Sequence, residues 1–236
     1  MRHLIMFAFA LAAPFHAPAQ DPTLPSIDKL LERYLAAAGG AAVQKISSRI
    51  TTGSIDVLTY GLSGTFEQYT KAPGRQVNIS DLSGFGKVIQ CSDGKSGWAA
   101  DPQQGLRQMS PAEFAAFERG ADLQSPLHLK TRYKKLAVTG KTKVGDRDAW
   151  VVEAQPPDGG PEKLCFDVRT GLLIRVERPD QSGGTVVTFD DFKEVDGVKI
   201  PFTIHQDGGQ AEVLIKIHAV RHNAPIDDAK FAKPSA

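Results

Sequence analysis

Along most of the chain apolar and polar residues alternate with a period of two, the signature of half-buried strands. Two stretches break that rhythm. In the first, Ser26 precedes Ile27, Leu30, Leu31, Tyr34, Leu35 and Ala38 at helical spacing, and Gly39-Gly40 stops the pattern. In the second, Ser110-Pro111-Ala112-Glu113 combines a capping serine, a proline suited to the first helical turn and a glutamate that reaches back. This predicts a helix to about Ala121, and Ser125-Pro126 starts a shorter one to about Tyr133. Strands are predicted before the second break over 49–59, 61–72, 75–82, 87–92, 96–101 and 106–109. After it they resume over 136–144, 149–155, 163–168, 172–178, 185–195, 198–206 and 210–221. The connectors are short and glycine-rich, as in Asp93-Gly94, Thr170-Gly171 and Asp196-Gly197, so neighbours are joined antiparallel. One helical turn is expected near Asp227 to Phe231.

No linker or change of composition divides this series. The expectation is one mainly β (α+β) domain, a single curved antiparallel sheet forming an incomplete barrel of about 11–12 strands, because a sheet that large must curl or close. The N-terminal helix and the mid-chain helical insertion are expected to lid its apolar concave face. Within one hairpin the two faces separate cleanly. Val198, Ile200, Phe202 and Ile204 match Val213, Ile215 and Ile217, while Lys199, Thr203, His205, Glu212 and Lys216 take the other side.

The first residues read differently. After Arg2 and His3 comes an uncharged run from Leu4 to Ala13, and Ala17-Pro18-Ala19 places small residues where a signal peptidase reads. The expectation is a cleavable signal peptide over residues 1–19 and a mature domain over 20–236. The apolar run is too short to span a bilayer, and no later stretch approaches the ~18 apolar residues that spanning requires. Export to the periplasm follows. The chain has 28 basic and 27 acidic residues, and loss of Arg2 leaves 27 of each. That balance argues against nucleic-acid binding and against a polybasic membrane surface. Export permits a disulfide, so Cys91 and Cys165 are either bridged or two small buried thiols.

Catalytic signatures are absent. There is no Gly-x-Ser-x-Gly elbow. Gly94-Lys95-Ser96 and Gly84-Phe85-Gly86 would each need a glycine where Ile89 stands. In a hairpin turning at Gly208-Gly209, His205 would face about Glu212 and His218 about Lys199, roughly 20 Å apart, so they cannot share a metal ion. Asp190-Asp191 lie on opposite strand faces, and Asp227-Asp228 suit a helix start. A hydrolase would need a histidine and a carboxylate meeting in a cleft. The expectation is therefore a protein that is not an enzyme, with no cofactor and no metal.

What remains is apolar. Trp98, Phe114, Phe117 and Trp150 lie on elements expected to meet inside, either as ordinary core or as the wall of a cavity for an apolar ligand. Phe85, in a glycine-flanked loop, is a candidate membrane or partner contact, or else it folds back onto the core.

Three segments resemble the LolA/LolB-like superfamily, the outer-membrane lipoprotein-sorting family and its uncharacterised bacterial relatives. They are Ser92-Asp93-Gly94-Lys95-Ser96-Gly97-Trp98 with the Ser-Pro helix after it, Phe166-Asp167-Val168-Arg169-Thr170-Gly171-Leu172, and the stretch from Asp190 through Val195-Asp196-Gly197-Val198-Lys199-Ile200-Pro201 to Phe231. The resemblance implies an incomplete barrel whose helices lid an apolar cavity for lipoprotein acyl chains. A ~14-carbon chain buried at ~0.8 kcal/mol per methylene supplies roughly 10 kcal/mol before ordering costs. The expected function is an exported periplasmic lipid- or lipoprotein-binding protein, its cavity walled by Trp98, Phe114, Phe117 and Trp150. The alternative is a non-enzymatic interaction module of a cell-envelope complex with a filled core and an envelope protein as partner.

Overall fold

The computed structural model describes residues 24–157, 159–179, 184–209 and 211–234; the expected signal peptide lies outside the described residues. One antiparallel sheet organises the chain. A first meander runs β1 (Ser48–Val57), β2 (Leu62–Lys71), β3 (Arg75–Leu82), β4 (Gly86–Asp93), β5 (Gly97–Asp101) and β6 (Gly105–Gln108). A second runs β7 (Lys135–Val144), β8 (Arg147–Gln155), β9 (Glu162–Asp167), β10 (Leu173–Arg178), β11 (Thr185–Val195), β12 (Val198–Asp207) and β13 (Glu212–His222). The meanders fuse where β1 pairs with β13, giving a curled, unclosed sheet of 13 strands among the described residues. The shortest of them, the four-residue β6 anticipated at 106–109, pairs along its whole length with β5.

Sequence neighbours β6 and β7 are thus the two free edges. Between them lie the helices α2 (Pro111–Ala121) and α3 (Ser125–Arg132). Both edges are blunted against pairing with another chain. One is very short, and the other carries exposed Lys135, Lys141 and Lys143 and a bulge between Val138 and Gly140.

The leading helix α1 (Ile27–Ala38) starts where the Ser26 hydroxyl accepts from Lys29 N–H, and it ends at Gly39 with φ 132°. Only glycine fits there: a Cβ would stand 2.5 Å from Gly197 O in the β11–β12 turn. Leu30, Tyr34 and Ala38 are buried against Val138, Val152, Leu164 and Phe166 on the inner face of the second meander. Val43 and Ile46, just after α1, join Leu123 and Leu127 over Val198, Ile200, Phe202 and Ile217. The inner face of β7–β13 is therefore filled by helices and turns, not left as a continuous hollow.

The last residues take the opposite side. Ile226 and Phe231 pack on Ile50, Val77 and Cys91, on the outer face of β1–β4. This strap is tied by Asp228 to Lys71 and Arg75 at 2.5 and 2.9 Å. Cys91 and Cys165 are both buried free thiols, which settles the alternative in favour of two thiols. Burial pushes the Cys91 thiol up to about 11.

Candidate functional site

The inner face is least covered in the middle of β2–β4, where Gln68, Asn78, Ser80 and Val88 are half-buried and Gln90 is exposed. Its orientation follows from two contacts. A Cβ at Gly97 would meet Phe114 and Met109, and Gln76 lies beside Gly120, so α2 sits on the side of the sheet bearing residues 76 and 97. Directly opposed residues share a face. Arg49, Thr70, Gln76, Ser92 and Gly97 form one row across five strands. Thr51, Gln68, Asn78, Gln90 and Ala99 form the next, and Gly53, Phe66, Ser80 and Val88 the one after.

This face is polar near α2 and apolar beyond. Thr70, Gln76 and Ser92 are buried, Gln68, Asn78 and Ser80 half-buried, and Gln90 exposed. Gln68 Nε2 donates to Asn78 Oδ1 at 3.0 Å. Further along, Phe66 and Leu82 join Ile55 and Val57 in an apolar cluster. All six charged residues of β2–β4 (Glu67, Lys71, Arg75, Asp81, Lys87, Asp93) take the outer face. The expectation of a wholly apolar concave wall is corrected here: amides line its middle.

Helix α2 borders this surface without sinking into it. Its N-terminus is firm. Ser110 and Glu113 close the capping box, and Arg107 makes a two-pronged contact with Glu113 at 2.8 and 3.1 Å. Those bonds hold the Glu113 carboxyl down to about 2. Yet Phe114 and Phe117 remain half-buried, and among the described side chains of residues 111–120 none is buried. By contrast, α1 buries three.

At the C-terminal end of α2 a cleft of about 520 Å³ opens between α2, α3 and the β2–β3 turn at Ala72, Pro73 and Gly74. Its charged lining is a local network. Asp122 takes Arg132 and, at 3.0 Å, His128 Nδ1. Arg119 leans toward Glu162 at 3.8 Å, which Arg178 approaches at 3.4 Å and whose Oε2 accepts from Tyr133 at 2.7 Å. A histidine and a carboxylate do meet in this cleft. However, Asp122 is saturated by a guanidinium, and the bonding partners of His128, His205 and His222 are carboxylates, plus Arg49 for His222. Among the described residues no hydroxyl or thiol is hydrogen-bonded to any of these imidazoles as a nucleophile would be. No cluster of three His, Cys, Asp or Glu is placed for a metal ion among the described residues.

The expected wall residues do not converge. Phe114 and Phe117 lie on α2. Trp98 stands opposite Cys91 and projects from the outer face, away from Phe114. Trp150 pairs with Phe166 beneath α1, where Lys141 Nζ lies 4.4 Å from its ring and a cavity of about 200 Å³ remains beside Arg33. Phe85 is half-buried and folds back onto the Phe66–Leu82 cluster. Among the described residues the exposed large apolar side chains are instead Leu58 and Tyr60, at 47% and 63%, on the β1–β2 connection. His205 is registered with Leu214 rather than Glu212, though its ring still reaches Glu212 at 2.7 Å. The amide row escaped notice in the sequence. Its signal was there: in β2–β4 every charge falls on one set of alternate positions.

No family model and no curated protein matches the chain. Solved structures do. A DUF1329 family protein from Desulfovibrio piger aligns with TM-score 0.62 at 13% identity, over 89% of this chain and 98% of its own. An outer membrane lipoprotein-sorting protein domain from Vibrio parahaemolyticus gives 0.58 at 16%, over 87% and 97%. A LolA superfamily protein from Nitrosomonas europaea gives 0.58 at 12%, over 89% and 99%. The chain has a LolA-like fold.

Proposed function

We propose that this protein is an exported, non-catalytic carrier or receptor for an amphipathic ligand, a lipid or the acylated end of a lipoprotein, acting in the periplasm. The observation that carries the reading is the behaviour of α2. It lies in the connection between the edge strands β6 and β7, rests beside β3 and β5 on the inner face, and leaves Phe114 and Phe117 half-buried. A helix with few buried contacts opens at low cost. A ligand on β2–β4 would complete the burial of those two rings while its apolar part reaches toward Phe66, Leu82 and Val88. The likeness in fold to a lipoprotein-sorting domain supports the same reading. In the described residues no helix is long and apolar enough to cross a membrane.

Two measurements test it. Native mass spectrometry of protein taken from the exported fraction is expected to show a co-purifying amphiphile. In a Phe117→Trp variant, a brominated alkyl detergent is expected to quench fluorescence beyond the wild-type response. Protein free of amphiphile, together with unchanged quenching, rejects the proposal.

One observation favours a second reading. The inner face of β7–β13 is largely filled by α1 and the turns after it, leaving only the small cavity beside Arg33, as a module serving only as an interaction partner would be. Leu58 and Tyr60 would then be its contact to an envelope protein.

A further inference from the structure

We propose that the registered row Thr51–Gln68–Asn78–Gln90 is a recognition surface for a neutral, polyhydroxylated headgroup, so that the amphiphile is a glycolipid. This rests on the amphiphile-binding reading above. The argument begins with what the inner face of β2–β4 lacks. Six charged residues belong to these strands and all six point outward. The charges nearest the row on adjoining strands are occupied. Arg49 Nε donates to His222 Nε2 at 3.2 Å, Asp101 accepts from the N–H groups of Gln103 and Gln104, and Arg107 is held by Glu113. A phosphate or ammonium placed on this row would lose its hydration and meet, on these strands, only charges that already have partners, Arg107 at the end of the row among them, which is costly.

What the face offers instead is paired donors and acceptors. Each Gln or Asn amide presents both an N–H₂ and a carbonyl, the complement of a sugar hydroxyl that also donates and accepts. Three amides stand on adjacent strands, ~4.8 Å apart per strand, so one ring or disaccharide spans them. Exposure rises along the row from buried Thr51 to exposed Gln90, which leaves the amides reachable from the β4 side. The Gln68–Asn78 bond keeps two of them oriented before a ligand arrives. The next row supplies Phe66 and Val88, where the first carbons of an alkyl chain would lie. A peptide is the weaker fit: β2, β3 and β4 have partners on both sides, so they offer no free backbone edge for an extended chain to pair with.

The test compares three ligands with similar alkyl tails, each below its micelle concentration, by titration calorimetry on the exported full-length protein. They are dodecyl maltoside, dodecylphosphocholine and a lauroyl dipeptide amide. The maltoside is expected to bind about tenfold more tightly than the other two, the worth of a few neutral hydrogen bonds. In Gln68→Leu/Asn78→Leu that preference is expected to vanish while dodecylphosphocholine affinity stays as it was. Gln90→Ala, at the exposed end where folding is not at stake, is expected to weaken the maltoside alone, by about threefold. Equal binding of all three, a preference for the dipeptide amide, or a preference that survives Gln68→Leu/Asn78→Leu overturns the glycolipid assignment and leaves the carrier reading standing. No binding of any of them overturns both.

Discussion

The ring of Phe114 lies over Gly97: a Cβ at residue 97 would stand 2.7 Å from Phe114 Cδ2 and 2.7 Å from Met109 Sδ. The bare glycine lets the first turn of α2 reach β5. Gly97→Ala is expected to push that turn outward, at about 1–3 kcal/mol for overpacking. Urea unfolding measures the loss of stability. Limited proteolysis is expected to cut within α2 sooner than in the wild type. Unaltered cleavage would show that Phe114 does not anchor the helix.

Glu162 is the next sensitive point. It is 3% exposed, accepts from Tyr133, and stands between the guanidinium groups of Arg119 and Arg178, whose Nε atoms are buried without a hydrogen-bond partner. Glu162→Gln keeps the size and removes the charge, leaving two cations facing each other. The expected loss is about 3 kcal/mol, typical of breaking a partly desolvated ion cluster. It should show as a lower urea midpoint with an unchanged slope. A loss under about 1 kcal/mol would mean that the arginines are hydrated through the neighbouring cleft.

Much of this architecture was legible in the chain. Ser110 and Glu113 form the capping box their spacing predicts, and the turn glycines fall between the strands they separate. Alternation also gave each strand two faces. It could not say which one turns inward, and around β3 the simple rule is inverted. Val77 and Cys91 are apolar yet face outward, because the strap carrying Ile226 and Phe231 covers them. Gln76 and Asn78 are polar yet face inward. Trp98, registered with Cys91, shares that outward face and so leaves the expected wall. The fusion of β1 with β13, 26 residues after Asp196 by the time His222 is reached and 173 after Arg49, is a long-range pairing that no local pattern encodes.

The strap has a consequence for thiol chemistry. Phe231 is 1% exposed, and its carbonyl accepts from Cys91 Sγ–H at 3.2 Å. Phe231→Ala is expected to cost about 3–5 kcal/mol through the lost ring contacts. It should also let a thiol reagent reach Cys91 far faster than in the wild type. Cys165, on β9 beneath no part of the strap, is expected to keep its slow rate. Mass mapping of the alkylated peptides separates the two. Equal acceleration at both would indicate global unfolding instead of local release of the strap.

His222 sets the last expectation, at the seam between β1 and β13. Its ring side chain is 1% exposed, Nε2 accepts from Arg49 and Nδ1 meets Asp196 Oδ2 at 3.2 Å. Burial and the Arg49 charge lower its pKa, against a smaller opposing pull from Asp196. The unfolded chain therefore takes up the proton first as pH falls. The neutral ring's contribution is complete above the ordinary histidine value of ~6.5 and is lost progressively below it. His222→Gln keeps a donor and an acceptor but cannot titrate. Between pH 7 and pH 5 the wild-type Tm is expected to fall more steeply than that of the variant. Arg49, with its own pKa pushed down to about 10 by burial, stays charged throughout this range and keeps the sign fixed. Parallel Tm curves for the two proteins would mean that Asp196 balances Arg49 and that the seam does not respond to acid.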